Sequence, residues 1–146
     1  MILTWKHGTK KDTISEELLD EKIEVSFSQA QQYFETGNKT SDWDRLEKSY
    51  MEFQGLVSNS RLLSLSTDRH KVVLFESYYH IAEILYLKKL PTESLKNYLK
   101  AVQIRDTHMD CWFKMGEIFM MQESTDFPQG KDKGKLLINN VILALK

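Results

Sequence analysis

The chain has 146 residues, which is enough for about one domain with a buried core of its own. Its 20 basic and 21 acidic side chains nearly cancel, which argues against nucleic-acid or membrane binding driven by bulk charge. The 41% hydrophobic share and the two prolines exclude a disordered or collagen-like chain. A single cysteine, Cys111, allows neither an internal disulfide nor a thiolate zinc site, so a reducing compartment is expected.

The first 21 residues are a charged N-terminal segment, whose adjacent carboxylates fit a solvated helix face. Residues Met1 to Lys11 supply too few apolar side chains for a secretory signal. The longest apolar run, Leu136 to Leu145, contains two asparagines and is too short to cross a bilayer. The sequence therefore predicts a soluble, intracellular protein with no membrane partner.

Two helices are predicted next, near residues 22–36 and 43–57, and together they make a degenerate repeat unit. In this register Gln31, Leu46 and Phe53 occupy positions where a helix pair prefers small residues, and the turn around 38–44 holds about three extra residues. Residues 57–73 are predicted to be a connector with a short helical stretch near 61–65. The remaining large or apolar positions of the unit are Phe27, Ala30, Phe34 and Tyr50.

The clearest pattern is a repeat at an offset of 34 residues. Small residues in it would let two antiparallel helices approach closely, and large ones would fill the space beside them. Helices are predicted near 71–89, 92–105 and 109–122, with Pro91 in the turn and Thr92 as the cap of the second of them. The aligned pairs are Tyr78 with Trp112, Ile81 with Met115, Ala82 with Gly116 and Leu85 with Phe119, and Ser94, Tyr98 and Ala101 complete the first copy.

These residues resemble the signature of the tetratricopeptide repeat, with Asp106 where that family most often has proline. The resemblance implies an all-α tetratricopeptide-repeat array of two to three antiparallel helix pairs over residues 22–121, with its best repeat at 75–108. Trp112 is expected to pack near Tyr98 and Ala101, and Gly116 to allow close helix approach. Residues 122–146 are predicted to form a loop followed by either a capping helix near 135–145 or a tail without a partner.

No catalytic constellation stands out, so the chain is predicted to be non-enzymatic, without a metal or a cofactor. His108 and Cys111 are spaced like two metal ligands, but no second pair exists to complete the four ligands that zinc needs. Gly130 to Lys135 lacks the glycine spacing and the hydroxyl residue of a phosphate loop. His80 lies beside an apolar stripe with no nucleophile to pair with.

The family resemblance also implies a binding groove lined by the first helix of each repeat. Acidic and aromatic residues alternate along both helices, which would favour a cationic ligand, although a plain solvated helix face explains the acids equally well. Tyr79 and Glu83 stand where chaperone-tail clamps of this family carry lysine and asparagine, so that ligand is not expected. The groove residues are Glu76, Tyr79, Glu83, Tyr86, Asp110, Phe113, Glu117 and Met120.

Residues 98–102, 106–107 and 112–116 are similar to the N-terminal repeats of the cabin family, the large helical-repeat subunits of the HIR histone chaperone complex. This resemblance implies a scaffold in replication-independent nucleosome assembly, located in the nucleus, with the cytoplasm left open. Its partners would be other protein subunits and histones, without direct contact to nucleic acid. A generic repeat adaptor for a basic peptide and an uncharacterised enzyme are the alternatives.

Overall fold

The chain folds as an all-α array, which confirms the predicted fold class. The computed structural model describes the backbone of residues 2–65 and 67–124 and the side chains of 16–65 and 67–121. No strand occurs in these ranges, and the helix predicted near 135–145 lies outside them. The helices are α1 (Ile2–Thr40), α2 (Trp43–Val57), α3 (Ser60–Leu63), α4 (Asp68–Leu87), α5 (Pro91–Ile104) and α6 (Met109–Ser124).

Most predicted helix limits agree with the structure, and the largest difference is at α1. This helix begins about 20 residues earlier than predicted, and the charged segment contains no proline that would end it. It also continues through Thr40, so that only Ser41 and Asp42 remain of the loop expected at 38–44. The connector expected at 57–73 is shorter too, since α4 already begins at Asp68.

Side chains that accept hydrogen bonds from backbone N–H groups mark several helix starts. The carboxylate of Asp42 accepts from the N–H of Asp44 at 3.1 Å, and the hydroxyl of Thr67 accepts from the N–H of His70 at 3.0 Å. The expectation that Thr92 caps its helix is wrong. Pro91 is already the first residue of α5, where its fixed φ and missing N–H cost nothing.

By its internal contacts the chain divides into two units, residues 1–56 and 57–146. In the first unit α1 packs against α2 through a buried serine and an aromatic pair. The hydroxyl of Ser49 donates to the carbonyl of Ala30 at 2.8 Å, and Phe27 meets Phe53 edge to face with 6.4 Å between ring centroids. The buried apolar residues of this unit are Ile23, Phe27, Ala30, Phe34, Leu46, Phe53 and Leu56.

The second unit repeats this arrangement between α4 and α5. The hydroxyl of Ser94 donates to the carbonyl of Ala82 at 2.7 Å, and Tyr79 meets Tyr98 edge to face with 5.6 Å between ring centroids. In both pairs the first aromatic residue lies three positions before the alanine, and the second lies four positions after the serine. We call the serine hydrogen bond and the aromatic pair together the helix-pair contact.

The helix-pair contact shows that the register predicted for the first unit is wrong. Ser49, not Leu46, takes the small position of the second helix, and Ala30, not Gln31, takes that of the first. The serine follows the alanine by 19 residues in the first unit and by 12 in the second. The seven extra residues add about one turn to each helix, which keeps the buried faces in phase.

α6 joins the core of the second unit through Cys111, Met115 and Ile118. Trp112 packs against the cluster that contains Tyr98 and Ala101, as expected, and its indole N–H donates to the carbonyl of Asp106 at 2.7 Å. The close helix approach expected at Gly116 is not found, because a Cβ built there meets no described atom within 4 Å.

Candidate functional site

The α4 half of the predicted groove is partly filled by the protein itself. Tyr79 lies between three rings, with centroid distances of 6.1 Å to Phe75, 5.6 Å to Tyr98 and 5.3 Å to His108. Burial raises the pKa of the Tyr79 hydroxyl, and nearby Glu83 adds to the effect. Tyr86 donates its hydroxyl to the sulfur of Met121 at 3.2 Å. Tyr79 therefore packs against Tyr98 of α5 and against His108, and Tyr86 contacts α6, before any ligand arrives.

The two acids of α4 hold a buried histidine between them. His80 Nε2 lies 3.4 Å from Glu76 and His80 Nδ1 lies 3.2 Å from Glu83, while the histidine side chain is only 16% exposed. Both ring nitrogens face carboxylates, which favours the doubly protonated imidazolium. Glu76 and Glu83 are thus already neutralised in part, and they are weaker sites for an external cation than the sequence indicates.

The pKa values follow from this arrangement. Desolvation disfavours the His80 cation, but hydrogen bonds to Glu76 and Glu83 outweigh it and raise the pKa of His80 from 6.5 to about 9. The hydrogen bond to His80 lowers the pKa of Glu76 below its ordinary value. The group is therefore an ionic triad near neutral pH.

The α6 half of the groove is exposed. Phe113 is 66% exposed and Met120 69%, and Asp110 and Glu117 are exposed beside them. Lys114 stands 34 residues after His80, between these acids, as His80 stands between Glu76 and Glu83. Among the described residues no cation lies within ion-pair distance of Asp110 or Glu117. The available carboxylates are consequently those of α6.

His108 and Cys111 are both engaged at the start of α6. His108 Nδ1 accepts from the N–H of Cys111 at 3.4 Å, which places the imidazole as a cap on the start of α6. The thiol is buried, and this desolvation raises the pKa of Cys111 to about 12. In the part of the chain with described side chains, no cluster of three potential metal ligands occurs.

A mostly apolar cavity of about 470 Å³ lies at the far end of α4. It is a second exposed apolar feature near α6, since Met121 contributes to its wall. The sequence does not indicate it, because its residues come from three helices and from the turn between α4 and α5 and share no periodic pattern. Its lining residues are Tyr86, Leu87, Lys89, Pro91 and Met121.

Two features of the site were not predicted, although their residue spacing is visible in the sequence: the contacts of His80 with two carboxylates, and the place of Met109 on α6. Glu76, His80 and Glu83 are spaced by four and three residues, the helical spacing at which side chains meet. Met109 belongs to the same exposed side of α6 as Phe113 and Met120, at a spacing of four from Phe113. Neither spacing matches a known sequence motif, so a search for motifs does not find these two features.

Comparison with protein-family models, with curated proteins and with solved structures finds no match for this chain. The tetratricopeptide-repeat resemblance, and the finer resemblance to HIR complex subunits, therefore stay predictions. Within residues 2–65 and 67–124, none of the helices combines the length and apolar character needed to span a membrane.

Proposed function

We propose that this protein is a non-enzymatic scaffold that binds other proteins through α6. The observation that carries the proposal is the exposure of Phe113 and Met120 on a helix whose opposite side is firmly packed. Large exposed side chains grouped on one face are typical of protein-interaction surfaces. The buried, protonated Cys111 thiol and the His108 cap further support a binding role, because neither group is free for chemistry.

The finer proposal is that the partners are subunits of a nuclear histone chaperone assembly. It rests on the resemblance of residues 98–102 and 112–116 to the HIR complex subunits. The test is affinity purification of the tagged full chain from nuclear extract, followed by mass spectrometry, with an unrelated all-helical bait of similar charge as control. The proposal would be supported if histone chaperone subunits, in amounts comparable to one another, are recovered with the tagged chain and not with the control bait. Recovery of the same set with the control bait would refute it.

Binding of a basic peptide is the second candidate, and it is favoured by Asp110 and Glu117, which are exposed and have no cation among the described residues within ion-pair distance. Replacing Glu83 with lysine would also break the contact with buried His80, so that variant mixes binding with stability. Glu117→Lys is the cleaner change, and Glu35→Lys, on an exposed position of α1, is its matched control. Titration calorimetry with basic histone-tail peptides should show weaker, less salt-sensitive binding for Glu117→Lys alone. Equal affinities for both variants would leave Asp110 and Glu117 as a solvated face.

A further inference from the structure

The side of α6 opposite its buried residues carries a continuous apolar stripe. We define the outer stripe as Met109, Phe113, Gly116 and Met120, which follow one another at helical spacings of three and four. Met109 is 76% exposed, and Phe113 and Met120 are exposed to a similar degree. Gly116 lies in the middle of the outer stripe with open space in front of it, as far as described atoms are concerned. A neighbouring helix could therefore approach here without displacing any side chain.

The chain contains a template for what covers such a stripe. At the 34-residue offset, Met109 corresponds to Phe75 and Gly116 corresponds to Ala82. Phe75 and Ala82 are fully buried, in one core cluster with Leu95, Tyr98 and Ala101 of α5. The equivalent surface of α4 is thus occupied by an amphipathic helix that brings a small residue, Ser94, against the alanine carbonyl.

The template also indicates the charge of the occupant. From α5, Lys100 places its ammonium group 5.6 Å from the ring centroid of Tyr78, and Arg105, just beyond the helix, lies 5.9 Å from that of Phe75. On α6 the half-buried Trp112 stands at the position of Tyr78. The exposed carboxylates of Asp110 and Glu117 follow one edge of the outer stripe. An aromatic ring on one edge and exposed acids on the other complement a helix that carries cations on both sides.

We propose that the outer stripe docks a basic amphipathic helix of a partner protein, in the way that α5 docks on α4. The apolar side of that helix covers Met109, Phe113 and Met120, a small residue faces Gly116, and its cations reach Asp110 and Glu117. A second copy of this chain is a poorer occupant, since a symmetric contact would bring the acids of one α6 against those of the other. The inference rests on the proposed scaffold function and names the chemistry of its partner.

The test uses a fluorescent peptide with the sequence of residues 91–105 as the probe and the full chain as the receptor. Fluorescence anisotropy should show saturable binding that Met120→Glu weakens at least ten-fold. Met51→Glu is the matched control, because Met51 is 65% exposed on α2 of the other unit, and it should change the affinity less than two-fold. A peptide with Gln at positions 96, 100 and 105 should bind at least five-fold more weakly and lose most of its salt dependence.

Several results would overturn the inference. These are no saturable binding, equal weakening by Met120→Glu and Met51→Glu, or unchanged affinity of the uncharged peptide. Self-association of the free chain that Met120→Glu abolishes in sedimentation would assign the outer stripe to a second copy. A change in amide exchange of residues 125–146 caused by Met120→Glu, without peptide, would assign it to the chain itself.

Circular dichroism and the melting temperature of Met120→Glu establish that the variant folds, and Gly116→Leu, which fills the open space, gives an independent second variant. The proposed function is measured separately by the purification from nuclear extract. If the same subunits are recovered with the wild type and with Met120→Glu while the peptide fails to bind, the docking inference is refuted and the scaffold proposal stands.

Discussion

The helix pairs α1–α2 and α4–α5 use the same helix-pair contact on different sequences. Ser49 and Ser94 each donate a hydroxyl to an alanine carbonyl of the preceding helix, and an edge-to-face aromatic pair lies one turn away. Each first helix is also followed within two residues by one in the left-handed region, Ser41 at φ 55° and Lys89 at φ 63°. The two helix pairs therefore have the same geometry at the helix-pair contact and at the end of the first helix, although the residues between these positions differ.

The pairs differ in length and in charge. The first pair has about one more turn on each helix, where Gly37 lies so close to α2 that an added Cβ would stand 3.0 Å from the backbone nitrogen of Leu46. The second pair instead contains the charged triad of Glu76, His80 and Glu83. The helix-pair contact therefore sets how the two helices of each pair pack. The first unit adds a close approach that is sensitive to side-chain size at Gly37, and the second adds a triad that is sensitive to pH.

The largest expected effect comes from removing the second aromatic residue of each helix-pair contact. Phe53 and Tyr98 are both almost fully buried, at 0% and 1% exposure. We expect Phe53→Ala and Tyr98→Ala each to lower the free energy of unfolding of their unit by about 3 to 5 kcal/mol. Urea unfolding followed by amide exchange in α2 and α5 measures each unit. A loss in one unit at least twice that in the other would show that the contact is not equivalent.

Sequence reasoning captured the repeat where its small residues lie at regular positions and failed where the spacing changes. Ala82, Ser94 and Tyr98 follow the common pattern, so the limits of α4 and α5 were predicted within a few residues. In the first unit the extra turns move Ser49 away from that pattern, and only the hydrogen bond to Ala30 identifies its role.

The sequence names the residues of the predicted groove, but it does not specify their exposure or their electrostatics. The alternation of acids and aromatics is visible in the sequence, whereas the exposure of each side chain depends on packing between helices. Tyr79 turned out to be half-buried against three rings while its counterpart Phe113 is exposed, because α6 has no described helix on its outer side. The partnership of His80 with two carboxylates likewise needs rotamers that the sequence does not specify.

The charged triad predicts that the second unit responds to pH between about 6.5 and 9. The pKa of His80 is raised in the folded chain, so its stabilisation is complete below 6.5 and is lost as pH rises through about 9. A rise from 6.5 to about 9 corresponds to about 3 kcal/mol. The lowered pKa of Glu76 acts in the opposite direction, with stabilisation present above 4.5 and lost as pH falls.

Amide exchange in α5, compared with that in α2, measures this effect, and His80→Gln is the control. The variant should be less stable than the wild type at pH 6 and nearly equal to it at pH 9.5. A wild-type α5 that keeps its protection across this range would contradict the triad.

Gly37 provides the next test, because it separates close approach from helix propensity. Gly37→Ala adds a methyl group against Leu46, and we expect a net loss of about 1 to 2 kcal/mol in the first unit. Gly55→Ala is the matched control on α2, since no described atom lies within 4 Å of a Cβ added there. We expect this variant to gain about 0.5 to 1 kcal/mol in its free energy of unfolding. Thermal unfolding of the three proteins gives the order. Gains for both alanine variants would show that α1 and α2 do not approach closely at Gly37.

The smallest effect tests the hydroxyl groups of the helix-pair contact. Ser49→Ala and Ser94→Ala remove one buried donor each, while the alanine carbonyls they reach are within helices and keep their backbone partners. Because no buried carbonyl is left unsatisfied, we expect each variant to lose only about 0.5 to 1.5 kcal/mol. Ser→Val at the same positions adds volume between the helices and should cost more, by about 1 to 3 kcal/mol. Equal costs in both units would confirm that the same helix-pair contact is present in each pair. A valine variant as stable as the wild type would mean that the two helices are too far apart at that serine for the hydroxyl to matter.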